Sequence, residues 1–325
     1  MALPESVRDL PDMLEETYDL VAQVPLGKVT TYGEVAKALG DIVASRYVGL
    51  AMSMNQDIVR VPCRRVVQSD GSIGGYTGGG PEKKIRLLRM EGVIVRDGKV
   101  VDFESKLFKD FETKYPLRSL RARQKKMKAR LVARDPRRGF ERVAGLDIAY
   151  EENRTYAAMV VFDLESGEEI GRYFSKGRAT FPYIPTYLAF REIPSMASLM
   201  KHVDDRTVLM YDGNGVLHPE GFGVASQVGV AFDVGTIGVA KKLLCGTVTG
   251  AAKGGLRDVV LNGRRIGYAM SSRRGSNPVY VSTGHGISLE SAAEICGKFL
   301  IHRIPEPTRQ AHIAAETLRR GTNHK

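Results

Sequence analysis

The sequence has no apolar run approaching the roughly 20 residues that a membrane-spanning helix needs. Its first twenty residues mix acids among their apolar positions and lack the layout of a secretory signal. The expectation is a cytoplasmic chain with no membrane partner. Cysteine is scarce and scattered, at Cys63, Cys245 and Cys296 only. An odd, small count argues against a disulfide framework and fits a reducing compartment. No Cys-x-x-Cys pair or Cys/His cluster suggests a zinc site. Internal repeats and low-complexity tracts are absent as well.

What is present fits two domains. A chain of 325 residues can bury two cores, and 43% hydrophobic with 26% charged residues is an ordinary globular balance. The net charge of +11 favours a polyanionic partner, of which nucleic acid is the usual one. That charge is concentrated. Between Tyr115 and Arg142 stand eleven Arg or Lys against two acids, a local net of +9. Leu117, Leu120, Met127 and Leu131 recur there at helical spacing, which predicts a basic amphipathic helix over 115–134. Such a helix either contacts phosphates or is a solvated linker.

Before it, TYGEVAKAL and SRYVGLAMSM read as two short helices joined by a tight turn, a helix-turn-helix pattern. After it, RVAGLDIAY, YAAMVVFDL, EIGRYFS and RTVLMYD read as strands, with ESGEE as a hairpin turn. Helices follow within YLAFREIPSMASLMKHV and SLESAAEICGKFLIHR, giving a mixed α/β second domain. The expected boundaries are 1–108 and 109–325.

A thiol is a nucleophile only as thiolate, and Cys63 in Val-Pro-Cys-Arg-Arg has cations for neighbours. VPLGKVTTYGEVAKALG, ASRYVGLAMSMN, VPCRRVV, GGYTGGG and LLRMEG follow one another over 24–92 in the order and separation of an O6-alkylguanine-DNA alkyltransferase catalytic domain, which this segment resembles. The resemblance implies a winged-helix-like fold and irreversible, once-only acceptance of an alkyl group from guanine O6 by Cys63. Because a base inside a duplex is out of reach, it implies nucleotide flipping. Arg46 would fill the vacated stack, Tyr32 would press on the adjacent phosphate, Asn55 would brace the turn near Cys63, Tyr76 would contact the flipped base, and Glu91 would be the buried carboxylate of a proton relay. Arg64 departs from the family's usual His at this position. Arginine cannot accept a proton near neutral pH, although its charge favours a thiolate.

Acids embedded in apolar strands suggest metal ligands, since unpaired carboxylates are rarely buried. Asp147 follows VAGL, Asp212 ends VLMY, and Glu192 follows a proline-rich loop. VAGLDIAY, FPYIPTYLAFRE, LMYDGNGVLHPEGFGVAS, GTIGVAKKLLCG, VYVSTGHGISLESA and RIPEPTR resemble endonuclease V from about Leu117 to Arg309. This implies an RNase H-like fold in which Asp147, Asp212 and Glu192 hold Mg²⁺, with Mn²⁺ as a substitute. It adds His285 and Lys241 to the catalytic set, His285 at a second metal or water and Lys241 at the scissile phosphate. His218 reads as structural or substrate-contacting. Gln227 stands where the family often has His. In Phe181-Pro182-Tyr183-Ile184-Pro185 two prolines stiffen a loop with Tyr183 at its tip, suited to wedging into a base stack. The expected protein is a monomer acting on double-stranded DNA. It takes alkyl groups from O6-alkylguanine and nicks the second phosphodiester 3′ to deoxyinosine. The alternative is an alkyl-lesion sensor without transfer, fused to an inosine-specific RNA/DNA endonuclease.

Overall fold

The computed structural model describes residues 3–253, 255–273 and 276–321, with the side chains of 251–253 outside the description. The chain divides into two compact units. One comprises Leu10–Ala122 with Phe181–Tyr187, and the other comprises the residues up to Asp9, Arg123–Thr180 and everything from Leu188 onward. The division falls inside the basic helix, not at 108, and two short segments belong with the unit that is distant in sequence.

In the first unit, α1 (Met13–Ala22) starts at Asp12, whose carboxylate accepts the Leu14 and Glu15 amides. Strand β1 (Thr30–Thr31) leads into α2 (Tyr32–Leu39), capped by the Thr31 hydroxyl and closed by Gly40 in the left-handed region. Then comes α3 (Ser45–Met54). α2 and α3 pack on each other, as the two-helix pattern predicts. Strand β2 (Val66–Val67) runs parallel to β1. It is followed by α4 (Gly80–Met90), the β3 (Val95–Arg96) and β4 (Lys99–Val100) hairpin, and the short α5 (Phe103–Lys106).

The basic helix is α6 (Pro116–Lys128), shorter than 115–134. Its apolar stripe is real, since Leu117, Leu120 and Met127 are buried and Leu131 packs beside Met127. Gln124 lies on the same stripe and donates to Gln227 Oε1 at 3.1 Å, so the departure at Gln227 has a partner inside the chain.

The second unit is built on β5 (Arg142–Glu151), β6 (Arg154–Asp163), β7 (Glu169–Arg178), β8 (Thr207–Asp212), β9 (Thr236–Ala240), β10 (Thr247–Lys253), β11 (Leu256–Leu261), β12 (Arg264–Met270) and β13 (Val279–His285). They form one sheet in the order β10-β11-β12-β13-β9-β8-β5-β6-β7. β5, β8 and β9 are mutually parallel at its centre, and the flanking pairs are antiparallel. The helices are α7 (Leu188–Met196), α8 (Val224–Phe232), α9 (Leu289–Lys298) and α10 (Glu306–Gly321). α9 and α10 share a core with Val143, Ala149, Val208 and Met210. α10 presses hard on β5, because a Cβ on Gly145 would meet Pro307 O at 1.9 Å. Only glycine permits that approach.

Candidate active sites

The first site is assembled at the turn after α3. Cys63 opens a 3-10 turn, Cys63–Arg65, and is buried. Asn55, at the end of α3, donates from Nδ2 to Val61 O at 2.9 Å and to Cys63 Sγ at 3.2 Å. Its Oδ1 accepts the Asp57 amide. The thiol opens onto a cavity of about 290 Å³ lined by Tyr32, Gly49, Met52, Tyr76 and Thr77 among others. The Tyr76 hydroxyl is buried with no hydrogen-bond partner among the described residues. A buried donor in that state is unfavourable unless something else enters the cavity. Burial, then the nearby Cys63, raises the pKa of Tyr32 and of Tyr76. Arg46 is exposed on the first turn of α3.

Glu91 is placed differently from a relay carboxylate. Arg64 Nε donates to its Oε1 at 2.6 Å, and Arg65 donates Nε to Oε2 at 2.7 Å and Nη2 to Oε1 at 3.0 Å. Burial works to raise its pKa, but the hydrogen bonds from Arg65 and Arg64 outweigh it and hold the carboxyl below the usual range. Both oxygens are therefore committed to guanidinium groups. Sequence reasoning missed Lys84. It is completely buried on α4 and donates to Val66 O at 2.6 Å and Ile73 O at 2.7 Å. It ties the strand after Cys63 to the segment before Tyr76. Burial lowers its pKa to about 8, opposed by the Cys63 charge.

The second site sits where β5 and β8 run side by side. Their register pairs Leu146 with Tyr211, so Asp147 and Asp212 are the next rung on adjacent strands, about 5 Å apart along the sheet. Asp147 shares its face with Val143 and Ala149, and Asp212 shares its own with Val208 and Met210, so both carboxylates lie at the edge of the α9–α10 core. Glu192 arrives from α7 and accepts the Tyr211 hydroxyl. Lys241, the first residue beyond β9, donates to Asp212. His312 on α10 meets Asp147, its Nδ1 at 2.8 Å from Oδ2. The glycine at 145, by letting α10 close on β5, sets that contact. Burial, then the charges of Asp147 and Asp212, raises the Glu192 pKa to about 7, against the Tyr211 hydrogen bond. Asp147 is likewise raised, by burial first and by Asp212, against the His312 contact. Among the described residues no three His, Cys, Asp or Glu side chains already stand as a metal-holding group. Each carboxylate has a partner of its own.

Of the residues expected here, Asp147, Glu192, Asp212 and Lys241 come together, and His285 does not join them. It faces Thr236 at the start of β9, while Asp212 faces Val239 further along, and an irregularity in the ladder falls between Thr283 and His285. His285 is buried. Its Nδ1 accepts the Val132 amide at 3.2 Å, and Gly286 N donates to Val132 O at 2.7 Å. It fastens the segment after the basic helix. His312 takes the histidine place at the carboxylates. It lies beyond RIPEPTR, on an amphipathic helix whose sequence gives one exposed His no distinction from solvated neighbours. His218 is buried, and its Nδ1 accepts the Glu220 amide at 3.2 Å within its own turn. Tyr183 is exposed and belongs to the first unit.

Comparison with known proteins finds two families along the chain. The Endonuclease V family profile matches residues 125–313, and that of the 6-O-methylguanine DNA methyltransferase DNA-binding domain matches residues 12–93. A bifunctional methyltransferase/endonuclease of Picrophilus torridus is 38% identical over 309 residues, 95% of this chain and 97% of its own length. One from Thermoplasma volcanium is 39% identical over 286 residues, covering 87% and 83%. The crystal structure of human ENDOV superposes with a TM-score of 0.57 at 33% identity, over 63% of this chain and 99% of its own. Ciona intestinalis endonuclease V, solved with a 24mer DNA containing an inosine followed by a ribo-adenosine, gives 0.56 at 26% identity over 64% and 98%. With both family profiles satisfied and full-length relatives matched along nearly the whole sequence, the chain belongs to the bifunctional methyltransferase/endonuclease family and carries an endonuclease V domain.

Proposed function

We propose that the chain repairs two kinds of altered base in double-stranded DNA, accepting alkyl groups from O6-alkylguanine on Cys63 and nicking at the second phosphodiester 3′ to deoxyinosine. The observation that carries the nuclease reading is the Asp147–Asp212 rung with Glu192 beside it. Burial, with the charges of neighbouring carboxylates, raises the pKa of Glu192 and Asp147; such a cluster calls for a cation, and its hard oxygens suit Mg²⁺ or Mn²⁺. Asp147, Asp212 and Glu192 would hold it. When bound, such an ion stabilises charge on the phosphoryl oxygens and lowers the pKa of water. His312 fixes the orientation of the Asp147 carboxylate from the helix side. Lys241, its ammonium already at Asp212, stands ready to meet the scissile phosphate. Tyr183, at the tip of a loop stiffened by Pro182 and Pro185, wedges into the stack beside the lesion. A Ciona intestinalis relative solved with inosine-containing DNA supports this substrate class. The protein acts as a cytoplasmic monomer.

In the first unit Asn55 holds the Cys63 sulfur at the mouth of the cavity, and the Tyr76 hydroxyl, which has no hydrogen-bond partner among the described residues, supplies a group for the flipped base. The thiolate forms an S–C bond as the C–O6 bond breaks, and guanine leaves with the electron pair and takes up a proton. One observation favours the rival reading, a lesion sensor without transfer. Glu91, spoken for by Arg64 and Arg65, has no free oxygen for a relayed proton. Incubation with a labelled O6-methylguanine oligonucleotide and a labelled deoxyinosine oligonucleotide, with and without Mg²⁺, tests both halves. Label moves to protein without metal, and nicking requires metal. Binding without label transfer selects the sensor, and parallel RNA oligonucleotides test the choice of nucleic acid.

A further inference from the structure

The loop Phe181–Tyr187 lies in sequence between β7 and α7 of the nuclease, yet it packs as part of the first unit. Phe181, Ile184 and Tyr187 are buried, while Tyr183 is 61% exposed. The hold is polar as well as apolar. Tyr187 donates its hydroxyl to Asp41 Oδ2 at 2.8 Å and also approaches Leu117 O at 3.3 Å. Arg121 Nη2 donates to the same Asp41 oxygen at 2.9 Å and to Thr186 Oγ1 at 2.8 Å. Its guanidinium lies 4.5 Å from the centre of the Tyr187 ring. Asp41 Oδ1 accepts the Val43 amide, which fixes the carboxylate on the turn between α2 and α3. Burial works against its charge, and Arg121 and Tyr187 more than compensate, keeping Asp41 ionised.

The loop's own backbone adds weight to this. Thr186 has φ +67, a left-handed conformation that a β-branched residue avoids. Such a residue persists only where its surroundings over-determine it. Here those surroundings are Arg121, Asp41 and the buried rings on either side.

We infer that Asp41 and Arg121 are positioning residues that hold the loop presenting Tyr183 to substrate. This rests on the proposed role of Tyr183. A loop fixed in its binding conformation costs less to order when substrate arrives. Releasing it should therefore weaken capture of the lesion more than the chemical step.

The chain contains no tryptophan, so Tyr183→Trp creates a single indole emitter at the loop tip. In that background Asp41→Ala should lower the fluorescence anisotropy of the indole. Asp41→Asn, which keeps the shape and the Val43 contact, should lower it less. With Tyr183 restored, Asp41→Ala should reduce kcat/KM for nicking deoxyinosine DNA about tenfold while kcat at saturating DNA stays within about twofold. Label transfer to Cys63 and the thermal transition of the first unit should be unchanged for Asp41→Asn. Unchanged anisotropy in both variants overturns the inference, as does a fall in anisotropy with unaltered kcat/KM. A wild-type chain that leaves deoxyinosine DNA uncut refutes the proposed substrate instead, and the two failures are told apart because the anisotropy arm needs no nicking.

Discussion

Replacing Glu192 with Gln should make the second unit more stable, not less, when divalent cations are removed. Burial and the charges of Asp147 and Asp212 raise the Glu192 pKa from 4.5 to about 7. A group that binds its proton more tightly when folded is destabilising once ionised. The folded chain keeps the proton between about pH 4.5 and 7 while the unfolded chain releases it, so stability declines as pH rises through that window. At 1.36 kcal/mol per pH unit, the full cost above pH 7 is roughly 3 kcal/mol. Gln carries no charge and still offers an oxygen to the Tyr211 hydroxyl, so the contact survives while the repulsion goes. For a unit of this size roughly 3 kcal/mol corresponds to about 6–12 °C in Tm. Calorimetry in EDTA at pH 8 should show that rise for Glu192→Gln, and the gap should close near pH 5. Adding Mg²⁺ should raise the wild-type Tm by mass action and move the variant much less. A variant that melts at or below wild type in EDTA at pH 8 would refute the reasoning, because burial and the neighbouring charges would then not be disfavouring the ionised Glu192.

Cys63→Ala should abolish acceptance of labelled alkyl groups and leave nicking intact; continued labelling would show that another residue accepts the group. Lys84→Met removes the donor shared by Val66 O and Ile73 O, so the first unit should lose about 2–4 kcal/mol, read by denaturant unfolding. Lys125, Lys126 and Arg130 are exposed on and just after the basic helix, whereas Arg121 and Lys128 are already engaged within the chain. Changing those three to Gln should make the log–log salt dependence of DNA binding shallower by roughly one to three units, equally for lesion-containing and lesion-free duplexes. Coincident salt titrations would mean that they touch no phosphates.

Much of this architecture was legible because the local signals were unambiguous. RVAGLDIAY and RTVLMYD are apolar runs with one terminal or near-terminal acid each, and two such strands made parallel neighbours bring the acids together. TYGEVAKAL and SRYVGLAMSM fall at helical period and become α2 and α3. What could not be read was long-range. His285 and His312 are both single histidines, one within and one just beyond the stretches that carry the family resemblance, and only the strand register and the closeness of α10 to β5 decide which one reaches Asp147. Glu91 reads as a relay carboxylate in the sequence because nothing in the spacing of Arg64 and Arg65 says that both turn to it. Nothing in FPYIPTY hints that Thr186 and Tyr187 find their partners far upstream, at Arg121 and Asp41.

The exchange of short segments between the units bears on how the chain is made. A ribosome delivers residues in order, and a domain that is contiguous can fold as soon as it has emerged. Here Leu10–Ala122 must wait for Phe181–Tyr187, the last of the 65 residues that follow Ala122, and the residues up to Asp9 wait for partners beyond Arg123. At about 5–20 residues per second the delay is roughly 3–13 seconds. During that interval the surface meant for Phe181, Ile184 and Tyr187 is uncovered. Synthesis therefore obliges the two halves to mature together, and a nascent chain arrested between 122 and 181 would hold neither half complete.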